Sequence, residues 1–183
     1  MINLILRNED FGLQNADFTE KCRTRYSSRG IVVDPNTNKI AIVAKTKINE
    51  YKLPGGGKEG EETEEETFCR EVLEETGCKV RIIDKLGTVY EERSNIDLKQ
   101  FSTLFIAELV EDAGTLHPTQ KEKDEGLTIE WMDLDNAINT IRDSYNKVLG
   151  DKYEDTYVAH FVIKRDLKIL EEYKKRGVEN SSF

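Results

Sequence analysis

Alternating runs of β-branched residues and turn residues predict a hairpin in the first quarter of the chain. Ile31-Val32-Val33 precedes a turn-rich segment at 34–38, and Ile40-Ala41-Ile42-Val43-Ala44 follows it. Such runs on either side of Pro and Asn residues are typical of two antiparallel strands. Similar but shorter patterns predict further strands at 79–83, 88–92, 101–109 and 128–132.

Helical spacing and end signals predict three helices. Thr63 and Glu66 have the spacing of a capping box and Gly77 is a typical stop, so we predict a helix over 64–76. Apolar spacing predicts further helices at 134–142 and 156–175. The order of strands, helix, strands and two helices indicates an α/β protein with a mixed sheet covered by helices.

The length of 183 residues suits one domain with appendages. We divide the chain into a weakly patterned N-terminal segment (1–22), a central domain (23–143) and a C-terminal helical extension (144–183) that packs on the domain. No apolar run reaches the roughly 18–20 residues of a membrane span, and the apolar start is too short for a signal peptide. We therefore expect a cytoplasmic protein.

Cysteine content and net charge narrow the function classes. Cys22, Cys69 and Cys78 have no paired spacing, so we expect reduced thiols and no disulfide or cysteine metal site. With 27 Lys and Arg against 36 Asp and Glu, the net charge is −9. This charge disfavours a membrane partner or a large nucleic-acid surface. A phosphorylated ligand would need a local cation.

The predicted helix at 64–76 would carry an apolar face and an acidic face. At about 100° per residue, Phe68, Cys69, Val72 and Leu73 fall on one side, and Glu71, Glu74 and Glu75 on the other. Like charges at this spacing destabilise a helix by about 0.2–0.5 kcal/mol per pair. Mg²⁺, which prefers oxygen ligands, would relieve the repulsion; a solvated acidic face is the alternative. The preceding glycines, 55–57, would let backbone approach a ligand closely.

The segment from Gly56 to Cys78 resembles the Nudix box, G-x5-E-x7-R-E-U-x-E-E-x-G-U, in which U is a bulky apolar residue. The matching residues are Gly56, Glu62, Arg70, Glu71, Val72, Glu74, Glu75, Gly77 and Cys78. Cys78 stands where the family usually has an aliphatic residue, a mild departure because a buried cysteine acts as a small hydrophobe. A chance match is on the order of 10⁻⁵. The resemblance implies a Nudix-like α/β/α sandwich with a mixed sheet, completed here by a C-terminal helix.

The resemblance also implies roles for the box residues. In similar proteins the residues matching Glu74 and Glu75 bind Mg²⁺, with Mn²⁺ as a substitute. Glu71 would be a further metal ligand or the general base, and the Gly56 carbonyl would complete the metal shell. Arg70 would orient the glutamates through charge-assisted hydrogen bonds. Glu62 would anchor the loop to the helix.

Three residues outside the box are additional candidates for the site. Lys52 and Lys58 flank the glycines, so either could bind a substrate phosphate. Glu125 is predicted to be a further catalytic carboxylate, since similar proteins often place a glutamate in a loop before a late strand. Glu122 is its rival, and a solvated charge run is the alternative to both.

These features predict a magnesium-dependent pyrophosphohydrolase acting on a small phosphorylated metabolite. We expect a nucleoside di- or triphosphate, or a related nucleoside-diphosphate-linked metabolite, as the substrate.

An ADP-ribose or dinucleotide pyrophosphatase is the first alternative, although Arg93 stands where ADP-ribose hydrolases tend to carry a proline. An isopentenyl diphosphate isomerase would need a catalytic cysteine for which no matching motif is found. A non-catalytic ligand-binding module would often have lost box glutamates that are all present here. A homodimer is left open.

Overall fold

The structure, a computed structural model, describes residues 1–112, 114, 120–148 and 153–180. Its strands are β1 (Ile2–Arg7), β2 (Arg23–Asp34), β3 (Lys39–Lys45), β4 (Glu50–Lys52), β5 (Gly55–Gly57), β6 (Cys78–Arg93), β7 (Leu98–Asp112) and β8 (Leu127–Met132). Its helices are α1 (Glu64–Thr76), α2 (Gln120–Glu125), α3 (Leu134–Val148) and α4 (Tyr153–Asn180), with short 3-10 turns at Asn8–Phe11 and Ser94–Ile96. The predicted hairpin and all three predicted helices are present.

The strands of the described residues form one mixed sheet, as predicted. The main path runs β1-β6-β7-β2-β3-β4, with β5 paired to β2 and β8 paired to β3. β1 lies parallel to β6 and β2 lies parallel to β7, while the other pairs are antiparallel. Because β2 pairs with β7 along one edge and with β5 along the other, it runs through the centre of the molecule.

Helices cover both faces of the sheet. Successive residues of a strand point to opposite faces, so Leu104 joins the apolar core beneath α3 and α4, whereas Phe105 joins the core beneath α1. In the same way, Ile31 joins the core beneath α3 and α4, and Val32 joins the core beneath α1. The predicted three-layer α/β/α sandwich with a C-terminal helix is therefore confirmed.

Helix α1 has the predicted ends but a narrower apolar face. The Thr63 side chain accepts a hydrogen bond from the Glu66 backbone, and the Glu66 side chain accepts one from the Thr63 backbone. Phe68 and Val72 are fully buried, but Leu73 is 42% exposed. The predicted placement of Leu73 on the buried face was wrong, because the sheet contacts only the stripe along one side of the helix.

The sheet of the structure differs from the prediction at two places. The strands expected at 79–83 and 88–92 are one strand, β6, whose pairing with β7 shifts register at three places. One shift lies beside Gly87, which has a φ of +148° and packs so closely on the backbone of Ile2 that a side chain would not fit. The weakly patterned segment 1–22 supplies β1, so it contributes a strand to the domain sheet.

The remaining features concern the C-terminal helix and the cysteines. Helix α4 begins earlier and ends later than the 156–175 predicted. No helix in the described part of the chain is long and apolar enough to span a membrane. Cys22, Cys69 and Cys78 lie in the structure as free thiols, and Cys78 is buried.

Candidate active site

The glycine-rich strand β5 and helix α1 bring the box residues together. In the pairing of β5 with β2, Gly55 lies opposite Arg29 and Gly56 opposite Ser28. Helix α1 packs against both strands. A Cβ atom on Gly56 would overlap the carboxylate of Glu71, so a side chain at this position would displace that carboxylate from where it lies.

Arg70 donates hydrogen bonds to four residues of the box. Its Nε donates to Glu62 Oε1 at 2.6 Å, and its Nη2 donates to the Gly57 carbonyl at 2.8 Å. Its Nη1 donates to Glu71 Oε1 at 3.1 Å and to Glu74 Oε2 at 3.0 Å. Arg70 thus contacts Glu71 and Glu74 but not Glu75, and it ties the loop before the helix to the helix itself.

Glu71 and Glu75 are the two box carboxylates that lie inward. The Glu75 carboxylate accepts hydrogen bonds from Lys52 Nζ at 2.5 Å and from the Gly55 backbone at 2.9 Å. Burial raises the pKa of Glu71 above its ordinary value, and repulsion from Glu75 raises it further. Arg70 opposes these two effects on the pKa of Glu71 but does not outweigh them.

Both carboxylates face a cavity of about 340 Å³ between β5, the sheet and helix α4. The cavity is lined by Arg25, Arg29, Lys45, Glu50, Lys52, Gly55, Gly56, Gly57, Glu71, Glu75, Arg93, Gln100, Val158, Val162 and Arg165. Lys52, Gly56, Glu71 and Glu75 are therefore brought together in it. The wall formed by Val158 and Val162 comes from the C-terminal helix.

Other predicted site residues do not line this cavity. The side chain of Glu74 is 57% exposed and bound to Arg70. Lys58 lines a separate cavity of about 500 Å³ beside Tyr26 and Phe101, and so is not brought together with Lys52. The carboxylate of Glu125 lies 2.8 Å from Lys45 Nζ. Lys45 lines the cavity, whereas Glu125 does not. The side chain of Glu122 is outside the described residues.

Two carboxylates of the cavity, those of Glu71 and Glu75, are suitable ligands for a hard cation. Among the described residues, no three Asp, Glu, His or Cys side chains converge on one point in a metal-binding geometry. Glu71 and Glu75 nevertheless share a cavity and offer the oxygen donors that Mg²⁺ prefers. The raised pKa of Glu71 is the sign of a carboxylate that a nearby cation would stabilise in its charged form.

The arginines of the cavity were not predicted from the sequence. Arg25, Arg29, Arg93 and Arg165 come from β2, β6 and α4, and the last three are buried. Period-two alternation places Arg25, Ser27 and Arg29 on one face of a strand, which was the available signal. No local pattern showed that this face would meet Arg93 and Arg165.

Comparison with known proteins gives matches in both sequence and fold. A family model described as NUDIX domain matches residues 24–151. "Nucleoside diphosphate-linked moiety X motif 6" of Mus musculus is 33% identical over 113 residues, and the Homo sapiens protein of the same name is 35% identical over 113. Each match covers 61% of this chain and 35% of the relative. The chain thus spans about a third of the length of these curated relatives.

One solved structure is similar over most of the chain. The MutT protein from Methanosarcina mazei Go1 superposes with a TM-score of 0.56, covering 87% of this chain and 99% of that one. The two sequences are 17% identical, so the likeness is one of fold.

Proposed function

Because the chain belongs to the NUDIX domain family, we propose that it is a magnesium-dependent pyrophosphohydrolase. The observation that carries this proposal is the pair of inward carboxylates, Glu71 and Glu75, which face one cavity together with cationic side chains. Its substrate would be a nucleoside di- or triphosphate, or a related nucleoside-diphosphate-linked metabolite. The names of the curated relatives, which refer to nucleoside diphosphate-linked moieties, support this substrate class.

In this proposal Glu71 and Glu75 hold the cation. Bound Mg²⁺ supplies a lowered pKa for coordinated water and offsets charge on the substrate phosphates. Glu71 would serve either as this metal ligand or, where it does not bind the cation, as the base that takes a proton from the attacking water, since its side chain lines the same cavity. Glu75 is held in place by Lys52 and by the Gly55 backbone.

The other predicted site residues take supporting roles. Arg70 orients Glu71 through its hydrogen bond, and Glu62 fixes Arg70. Glu74 would join the metal site by turning away from Arg70. Glu125 would act through Lys45, its partner at the edge of the cavity. Substrate phosphate would bind Lys52 and the arginines, which would explain why an acidic protein accepts an anionic substrate.

A substrate panel tests the activity. With Mg²⁺, we expect release of phosphate, pyrophosphate or a nucleotide product from a nucleoside di- or triphosphate, with a higher kcat/KM than for ADP-ribose or NADH. Absence of turnover on the whole panel, with either Mg²⁺ or Mn²⁺, would favour the ligand-binding alternative.

We expect Glu75→Gln to lower kcat by more than about 100-fold, because losing even an outer partner of a metal site costs roughly 10–100-fold. The fold should survive, since the shape of the side chain is kept. Glu65→Gln is the matched control: Glu65 is exposed on the same helix and does not line the cavity. Similar kcat values for the two variants would remove Glu75 from the site.

A further inference from the structure

Three arginines form the floor of the cavity. Arg29 from β2, Arg93 from β6 and Arg165 from α4 meet between the sheet and the C-terminal helix, with exposures of 4%, 3% and 1%. Burying a guanidinium is costly unless it is paired and fully hydrogen-bonded. The partners of each arginine therefore show whether the cluster is complete without a ligand.

Two buried carboxylates account for two of the arginines. Arg165 contacts Asp166 at 2.7 Å and Glu91 at 3.4 Å, and Arg93 contacts Glu91 at 2.9 Å. Asp166 also accepts a hydrogen bond from the Leu53 backbone at 2.9 Å, and Glu91 accepts one from Gln100 at 2.9 Å. This part of the cluster has a structural role, since it fastens α4 to the sheet.

Arg29 is not explained by that structural role. Within the described residues it has no carboxylate at ion-pair distance, so the floor holds three buried positive charges against two negative ones. Burial lowers the pKa of Arg29 to about 10, and repulsion from Arg165 contributes. The floor therefore carries an excess positive charge next to the open space of the cavity.

Unsatisfied polar atoms lie at the same place. In the described part of the chain, the buried Nε atoms of Arg29 and Arg93 have no hydrogen-bond acceptor, and the buried Oε1 of Gln100 has no donor. Buried polar groups are nearly always hydrogen-bonded, because an unmet one destabilises the folded protein. All three residues line the cavity that contains Glu71 and Glu75. Guanidinium groups match the geometry of phosphate oxygens, and the unmet Gln100 oxygen could accept from a ligand hydroxyl.

We propose that Arg29 and Arg93 form a phosphate-binding subsite at the floor of the cavity, which binds its ligand without metal. The assignment of this phosphate to the substrate rests on the proposed function, in which Glu71 and Glu75 hold the scissile diphosphate through Mg²⁺. The floor then binds a phosphate group that the metal does not hold. Arg165 is a positioning residue, because it is already paired with Asp166 and Glu91.

The first experiment measures phosphate binding with no metal present. The thermal midpoint is recorded against increasing inorganic phosphate, with chloride at equal ionic strength as the reference and with a chelator added. We expect the wild-type midpoint to rise by roughly 2–4 °C more than that of Arg29→Met. Comparing the two proteins at equal phosphate concentration removes the general stabilising effect of the salt. Arg81→Gln, which changes an arginine with a 71% exposed side chain, should respond like the wild type.

A second variant protects the test against misfolding. Arg29→Met should fold, because it removes an unpaired buried charge, and circular dichroism would check this. Should it fail, Arg29→Lys keeps the charge but loses the forked donor geometry. We expect Arg29→Lys to need roughly tenfold more phosphate for the same rise. An equal phosphate response in the wild type and the folded Arg29 variants would overturn the proposal.

A kinetic experiment distinguishes a phosphate of the substrate from free phosphate. If the floor holds a substrate phosphate, Arg29→Met should raise KM roughly tenfold while changing kcat less. If it holds only free phosphate, Arg29→Met should lose the phosphate-dependent rise of the thermal midpoint while KM and kcat both stay unchanged. A protein that binds phosphate through Arg29 but cleaves no substrate would contradict the proposed function and leave the subsite intact.

Discussion

At the scale of single residues, the site depends on a few polar atoms with several partners each. Arg70 has hydrogen bonds to four residues of the box. Glu75 is held by a side chain and a backbone amide, while Glu71 lies against a glycine that leaves it just enough room. Small changes at these positions should therefore alter activity more than stability.

Replacing Gly56 tests the close approach between strand and helix. In Gly56→Ala the added methyl group would overlap the Glu71 carboxylate and displace it. Because a misplacement of about 1 Å can cost roughly 100-fold in rate, we expect a fall in kcat of that order. Gly177→Ala is the control, since a Cβ there meets no atom of the described residues within 4 Å; it should keep the activity. Unchanged kinetics in Gly56→Ala would mean that the position of Glu71 is not critical.

The contact between Glu62 and Arg70 predicts a dependence of stability on pH. Hydrogen bonds from Arg70 lower the pKa of Glu62 from 4.5 to about 2. A lowered folded-state pKa stabilises the protein above the unfolded pKa, and this stabilisation is lost as pH falls from about 4.5 towards 2. Glu62→Gln should therefore unfold at a lower temperature than the wild type at pH 7, and the difference should shrink over that acidic range. Thermal midpoints at several pH values would show this; a difference that does not change with pH would contradict it.

At the scale of elements, helix α1 positions two carboxylates because both of its ends are well defined. The capping box at Thr63 begins it, and Gly77, with a φ of +69°, ends it. Phe68 and Val72 fix its rotation by packing on the sheet, so Glu71 and Glu75 point into the cavity while Glu74 points outward.

The cap of α1 should contribute measurably to stability. Thr63→Ala removes the acceptor for the Glu66 backbone amide and should cost about 1 kcal/mol, which lowers the midpoint by roughly 2–4 °C. Thr63→Ser keeps the hydroxyl group and should lose little. If the two variants unfold together, the hydroxyl hydrogen bond does not stabilise the helix.

At the scale of the whole molecule, three layers meet at one cavity. Helix α1 supplies the carboxylates from one side of the sheet, strands β2 and β6 supply Arg29 and Arg93, and α4 supplies Arg165 from the other side. Glu71 and Glu75 therefore come from one layer of the fold, and the buried arginines of the cavity come from the other two. A ligand that bridges them should stabilise the folded state as a whole.

Magnesium is expected to raise the thermal midpoint of the wild type. A ligand that binds only the folded state at ten times its Kd stabilises by about 1.4 kcal/mol. The paired substitution Glu71→Gln and Glu75→Gln should abolish the effect of Mg²⁺, and a chelator should reverse it in the wild type. A midpoint that stays constant across millimolar Mg²⁺ would count against a metal site.

Elements whose signals lie between near neighbours in the chain could be predicted from their residues alone. The capping box, the stop at Gly77 and the hairpin around 34–38 involve hydrogen bonds and turns between near neighbours, so their residues predict them directly. The carboxylates of the box were identified in the same way. That successive residues of β2 and β7 occupy opposite faces of the sheet follows from a period of two, which is a property of any strand.

Tertiary structure decided which residues share the cavity. Arg29, Arg93 and Arg165 lie far apart in the chain, and their encounter depends on the pairing of β2, β7 and β6 and on the docking of α4. The same long-range packing decided that β1 joins the sheet, that Leu73 stays exposed and that Lys58 faces another cavity. Local periodicity specifies which face of an element a residue occupies, but the partner of that face is set only when distant segments pack together.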